Sequence, residues 1–262
     1  MHLVGGAKSD GSDAPGMSSA YKAVGAIPAA ALVAIGGRQY QADAGSCTAH
    51  GYSAAVESWA NKVVKADLQL CRQDIYFMSR LMEGNGAERI DGGSYPSMVR
   101  TALSTRGTVT EARKPYAPHD VTTWRRPGEW EADARLLACR FDRIPGDVEA
   151  MFPFLADGTP VVVCHAVYPS MVNLPLGGVE DDHGTRMGGH CRLIVGYDLV
   201  REDVLVMNSW RGWGLKHPEA EMDARFAGYT DSFSWVPFAV VNNPKWLDDA
   251  AVLAVPPAGV ES

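Results

Sequence analysis

The sequence predicts an α+β protein of two lobes, a helical half followed by a strand-rich half that meet at a cleft. Three observations carry this. Apolar residues recur at helical spacing from about residue 47 to residue 105. From Val161 onward the apolar runs are short, β-branched and bounded by turn residues. Between these regions, residues 107–130 hold three prolines together with Trp124 and Trp130 and read as the crossing between lobes. The expected boundaries are a flexible extension over 1–20 and one domain over 21–262, with its helical lobe at about 41–125 and its β-rich lobe at about 126–262.

The extension is expected to be flexible because residues 1–20 are rich in Gly, Ser, Ala and Asp. Residues 21–46 read as an approach strand. A first helix is expected from Cys47 to Val64, with Tyr52, Ala55, Val56, Trp59 and Val63 on one stripe and Ser46 as N-cap. A second carries Leu68, Cys71, Ile75, Met78 and Met82 and closes on the polar turn Glu83-Gly84-Asn85-Gly86. A third follows Asp91-Gly92-Gly93, with Tyr95, Met98, Val99, Ala102 and Leu103 inward. Beyond the crossing, Pro145 begins a short helix with Val148, Met151, Phe152 and Leu155 on one face. Strands are expected at 161–167, 190–197 and 204–208, with a closing strand from Phe233 to Val241.

Chemistry concentrates at a few of these positions. A cysteine in the first turn of a helix meets unpaired N–H groups and the positive end of the dipole, which favour the thiolate. Cys47 is so placed. Gln41, six residues upstream, offers an amide that reaches the same place, and with the Cys47 N–H it forms a pair of oxyanion donors. His190 stands at the mouth of one predicted strand and Asn208 at the end of the next. A thiolate needs an imidazole to take and return its proton, and the imidazole needs an acceptor to fix its ring. A thiolate–imidazolium pair between Cys47 and His190 is the expected resting state.

The order Gln, Cys, His, Asn resembles the papain-like (C1-type) cysteine peptidases, their bacterial and viral branch most of all. The likeness runs through Gln41 to Ala49, Asp91-Gly92-Gly93, Gly158 to Val163, Gly188-Gly189-His190, Val195 to Asp198 and Asn208-Ser209-Trp210. It implies a helical half and an antiparallel β-sheet half with the active site in the cleft between them. It also implies that Cys47 forms an acyl-enzyme with His190 as base and acid, that Asn208 orients the ring and that Trp210 shields the His–Asn contact. Gly92 and Gly93 would lie along the cleft and pair with an extended substrate, and Cys191 would border an apolar subsite. Two departures stand out. Arg211-Gly212-Trp213-Gly214 is one residue shorter than the usual form, and Ala44 stands where secreted members place a disulfide cysteine.

Composition limits the alternatives. A formal net charge of −7 argues against nucleic acid and anionic membranes as partners, and no apolar run reaches the ~18 residues that span a bilayer. Five cysteines in an odd, loose spacing do not form a disulfide framework, and Cys71, Cys139 and Cys164, among apolar neighbours, read as buried thiols in a reducing, cytoplasmic setting. The stretch from Val24 to Ile35 makes a poor signal peptide, since cleavage after it would strip the approach to Gln41. No metal or cofactor site is expected. Asp181-Asp182-His183 reads as a solvated loop, His165 as a satisfied core histidine and His50 as a surface or packing residue. The expected partner is a protein or peptide substrate. A peptidoglycan stem-peptide amidase or endopeptidase, and a papain-fold structural or binding subunit of a phage or bacterial assembly, are the alternatives. The residues before Cys47 are too few for a folded inhibitory domain, so the extension is expected to dock on a larger assembly such as a phage or bacterial particle.

Overall fold

The computed structural model describes residues 7–8, 26–35, 40–172, 174, 179–211, 213–214 and 232–260. Chain order runs β1 (Ala30–Leu32), α1 (Cys47–Trp59), α2 (Arg72–Glu83), α3 (Pro96–Thr105), α4 (Glu131–Leu136), β2 (Arg140–Arg143), α5 (Val148–Ala156), β3 (Val161–Val167), α6 (Pro169–Val172), β4 (Gly188–Asp198), β5 (Asp203–Met207), β6 (Phe233–Pro237), α7 (Phe238–Val241) and β7 (Leu247–Val255). The strands form one antiparallel sheet in the order β2-β7-β3-β4-β5-β6, with β1 paired to β4. This is the predicted α+β class. Of the predicted extension, only Ala7 and Lys8 lie among the described residues.

Helix α1 packs against β3 and β4 on one side and α2 and α3 on another. Every residue from Cys47 to Ser58 is buried, so the single apolar stripe expected of it is too narrow. Small residues make this enclosure possible. At Gly51 an added Cβ would come within 2.9 Å of the Cys191 sulfur. The helix widens into a π turn over Ala60–Val64 and ends at Lys65 with φ 57°. The wider turn carries later residues off the stripe, and Val63 ends 56% exposed rather than buried.

Two further expectations shift. Helix α2 begins only at Arg72, leaving Leu68 outside it and Cys71 as its N-cap. The closing strand stops at Pro237, which lacks an N–H for the ladder and instead opens the short α7. The sheet also contains β7, between β2 and β3, which the sequence reading did not find. Its Asp248-Asp249 pair hides the strand pattern. Asp249 is tolerated at 4% exposure because Arg100 and Arg143 form ion pairs with it.

The crossing segment is tied down by charge. Arg126 grips Asp74 of α2 through two bonds, Nε to Oδ1 at 2.8 Å and Nη2 to Oδ2 at 2.6 Å. Among the described residues no helix is long and apolar enough to cross a membrane. The β3–β4 register sets His165 opposite His190 and Cys164 opposite Cys191, and β4 packs on α1, where Cys191 meets Gly51.

Candidate active site

Cys47 is the first residue of α1 and is fully buried. Ser46 precedes it as expected, yet its hydroxyl makes no capping bond. It donates instead to the Tyr116 oxygen at 2.7 Å, and Tyr116 donates onward to the Gln41 carbonyl at 2.9 Å. The competing phenol therefore takes the hydroxyl that sequence assigned to the helix. The loop before Cys47 is held by Asp91, whose carboxylate accepts from Gly45 N–H at 2.9 and 3.1 Å and from the Tyr76 hydroxyl at 2.7 Å.

Gln41 sits beside this loop at 2% exposure. Its backbone N–H donates to the Ser209 carbonyl at 3.0 Å, and its Oε1 accepts from the Ser209 hydroxyl at 2.6 Å. These bonds fix which end of the amide is which. One Nε2 hydrogen goes to the Ala44 carbonyl at 2.8 Å. An amide nitrogen carries two.

Across the cleft, His190 is fully buried at the head of β4. Its Nε2–H donates to Asn208 Oδ1 at 2.7 Å. The same Oδ1 accepts from Ser209 N–H at 2.7 Å, so Asn208 presents oxygen rather than nitrogen to the ring. Asn208 itself is anchored through its N–H to the Ser232 carbonyl at 2.7 Å. With Nε2 protonated, Nδ1 is a bare lone pair, and it has no hydrogen-bond partner. Trp210 lies over the imidazole with ring centroids 4.5 Å apart. Trp213 meets Trp210 edge-on at 5.8 Å and donates its Nε1–H to the Met171 carbonyl at 2.7 Å, so the shortened loop still supplies a second tryptophan.

Burial pushes His190 down to about 3, against the Asn208 bond and with help from the Arg192 charge. Burial thus disfavours the imidazolium in this covered cleft, against the thiolate–imidazolium pair expected from sequence. What covers it is the chain itself. Ala7 N–H donates to the Gly189 carbonyl at 3.2 Å and Lys8 N–H to the Ser94 carbonyl at 3.2 Å, with Ala7 and Ser94 bridged in parallel. Gly189 is needed for this approach, since a Cβ there would come within 2.2 Å of the Ala7 oxygen.

This pairing with the chain's own segment uses Ser94 and Gly189, not the Gly92 and Gly93 expected to meet substrate. Those glycines are already engaged. Gly93 N–H donates to the Tyr76 oxygen at 3.0 Å, Arg80 donates to the Gly93 carbonyl at 2.6 Å, and Gly92 N–H donates to the Ile90 carbonyl at 3.0 Å. Cys191 also departs from expectation. Adjacent strand residues point to opposite faces, so with His190 toward the cleft, the Cys191 sulfur turns to Gly51 and Cys164. Burial raises both Cys164 and Cys191, and it lifts Cys71 and Cys139 to about 12.

The other histidines fall where expected. His165 stacks on Trp246 at 4.3 Å, donates Nδ1–H to the Ala166 carbonyl at 2.8 Å and accepts from Arg192 Nε at 2.7 Å. His50 donates Nδ1–H to the Ser46 carbonyl at 2.9 Å and is held down at about 3 by burial. His183 is exposed in its loop, and no cluster of three metal-ligating side chains occurs among the described residues. Sequence reasoning missed Asp91's bracing role, Tyr76, Arg80, Tyr116 and the buried Arg192–Glu180 ion pair behind His165. Only Asp91 lay inside a noted motif.

The family model of the papain family cysteine proteases matches residues 30–217. No curated protein sequence matches the chain. Among solved structures, xylellain, a cysteine protease from Xylella fastidiosa, superposes with a TM-score of 0.74 at 23% identity, covering 88% of this chain and 87% of that one. Digestive procathepsin L 3 of Tenebrio molitor gives 0.70 at 18% identity, with coverage of 96% and 76%. The Carica candamarcensis cysteine protease CMS1MS2, solved in complex with E-64, gives 0.61 at 18% identity, with coverage of 88% and 100%.

Proposed function

The chain belongs to the papain family of cysteine proteases and hydrolyses peptide bonds, and on that premise we propose that Cys47 is its nucleophile and His190 its base. The observation that carries this division is the locked imidazole. Nε2–H is committed to Asn208 while Nδ1 is left as the bare nitrogen.

The reaction then runs in two halves. Cys47 sulfur adds to the scissile carbonyl carbon and its proton passes to His190 Nδ1. The oxyanion accepts from the Cys47 N–H and from the second Nε2 hydrogen of Gln41. Collapse breaks the C–N bond, His190 returns the proton to the leaving amine, and a thioester remains on Cys47. Water attacks that thioester, giving its proton to Nδ1, and the acid and the free thiol are restored. Asn208 keeps the ring from turning throughout, and Trp210 keeps water from the Nε2–Oδ1 contact.

Substrate must displace Ala7 and Lys8 before it reaches these groups. Opening the cleft restores water to His190 and removes the main cause of its lowered basicity. The expected pH profile of the open enzyme is bell-shaped, its two limbs belonging to the Cys–His pair. Cys47→Ala tests the assignment: turnover of any peptide substrate at the wild-type rate would refute it.

A further inference from the structure

One carboxylate in the cleft is not used by the chemistry above. Glu83 is the last residue of α2, where the negative end of the helix dipole disfavours a second negative charge. Its side chain is only 8% exposed. Arg80, one turn earlier, holds Glu83 Oε2 at 2.5 Å while its other donors go to the backbone carbonyls of Ala87, Ile90 and Gly93. Glu83 is thus fixed to the same rigid turn that carries the cleft wall. Its Oε1 is buried and has no hydrogen-bond partner.

The chain's own Lys8 shows what such a group receives. Lys8 Nζ lies 2.6 Å from Glu83 Oε2 and 4.9 Å from the centre of the Tyr95 ring, an anion below and an aromatic face beside it. Lys8 reaches this place because its backbone N–H is paired to Ser94, one residue along from the Ala7 N–H that bonds Gly189, the neighbour of His190. A small residue, Ala7, is therefore paired to the neighbour of the base, and a cation sits one residue further along. The spare Oε1 allows the second bond that a guanidinium makes with a carboxylate.

We propose that Glu83 determines specificity, and that the cleft selects peptides with a lysine or arginine one residue from the position facing the Gly189 carbonyl. This rests on the reading of the cleft as a peptide-binding site. It replaces the apolar subsite expected around Cys191. Lys8 fills the subsite until substrate displaces it, so the segment acts as a resident competitor.

The test uses binding, so that it stands apart from turnover. The full chain carrying Cys47→Ala and Lys8→Ala is titrated into a dye-labelled peptide Gly-Ala-Lys-Ser, which copies residues 6–9, and into versions with Arg, norleucine or Glu in place of Lys. The Lys and Arg peptides are expected to bind at least roughly tenfold more tightly than the norleucine peptide, the scale of one charge-assisted hydrogen bond. Adding Glu83→Gln, which keeps the shape and an oxygen for Arg80, brings that ratio to about one, and Glu83→Lys turns the preference toward the Glu peptide. Equal binding of all four peptides, or a Lys preference that survives Glu83→Gln, overturns the proposal. Turnover of a peptide library by the unsubstituted chain reports separately on Cys47 and His190.

Discussion

The two walls of the cleft are built by different means. On the sheet side, His190 and Asn208 are placed by strand register, β4 against β5, and a single side-chain bond completes the pair. On the helix side, almost nothing near Cys47 is placed by register. Gly45, Gly93 and the Ser46 hydroxyl are held by the side chains of Asp91, Tyr76, Arg80 and Tyr116; Asp91 and Tyr116 arrive from 46 and 70 positions away, and Tyr76 and Arg80 from the neighbouring helix α2. A ladder fixes the base, whereas a web of side chains fixes the nucleophile's surroundings. Register tolerates the loss of any one polar group better than a web of buried polar atoms does.

The largest expected effect falls on the sheet wall. His190→Ala removes the base and should lower kcat by roughly 10⁶-fold, the scale for losing one member of a catalytic unit. A residual rate within tenfold of wild type would mean another group takes the proton.

Acid comes next and strikes both walls. His50, His165 and His190 are all held below the ordinary histidine value by burial. Each takes a proton near 6.5 once unfolded, so the unfolded chain binds more protons below that pH. Their contribution to stability is thus present above pH 6.5 and is lost as pH falls toward 3. Each histidine contributes a slope of up to roughly 1.4 kcal/mol per pH unit. Urea midpoints measured from pH 7.5 to 4.5 should fall, and less steeply in His50→Phe. A flat midpoint across that range would contradict the buried, neutral assignments.

Behind the base, Glu180→Ala leaves Arg192 charged and unpaired in the interior and should destabilise the protein by about 3–5 kcal/mol. A loss below ~1 kcal/mol would show that water reaches Arg192. The smallest effect belongs to the helix side. Gln41→Ala should lower kcat by about 10²-fold with KM little changed, as for one lost oxyanion donor. A change confined to KM would make Gln41 a binding residue.

The same contrast explains what the sequence disclosed. Cys47, His190 and Asn208 announce themselves through local signals, a helix start and two strand ends, and the strand-rich half follows from short β-branched runs, whereas its antiparallel pairing was legible only through the family resemblance. Gly93, Ser94 and Glu83 could not be ranked, because Tyr76 and Arg80 decide which backbone groups stay free and both act across long sequence separations. Glu83 looked like the polar end of a helix, and β7 was hidden by carboxylates whose arginine partners lie far upstream. Cys191 was the avoidable error, since strand alternation already turned it away from a cleft-facing His190.

The central claim is that one thiol among five is the nucleophile. Treating the native chain with a peptidyl epoxide and mapping the adduct by mass spectrometry tests it directly. The four other cysteines are buried with their thiols pushed toward the protonated form. The account predicts a single adduct on Cys47, lost in His190→Ala and formed faster in Lys8→Ala. An adduct on any other cysteine, or none on Cys47 once Lys8 is removed, would contradict it.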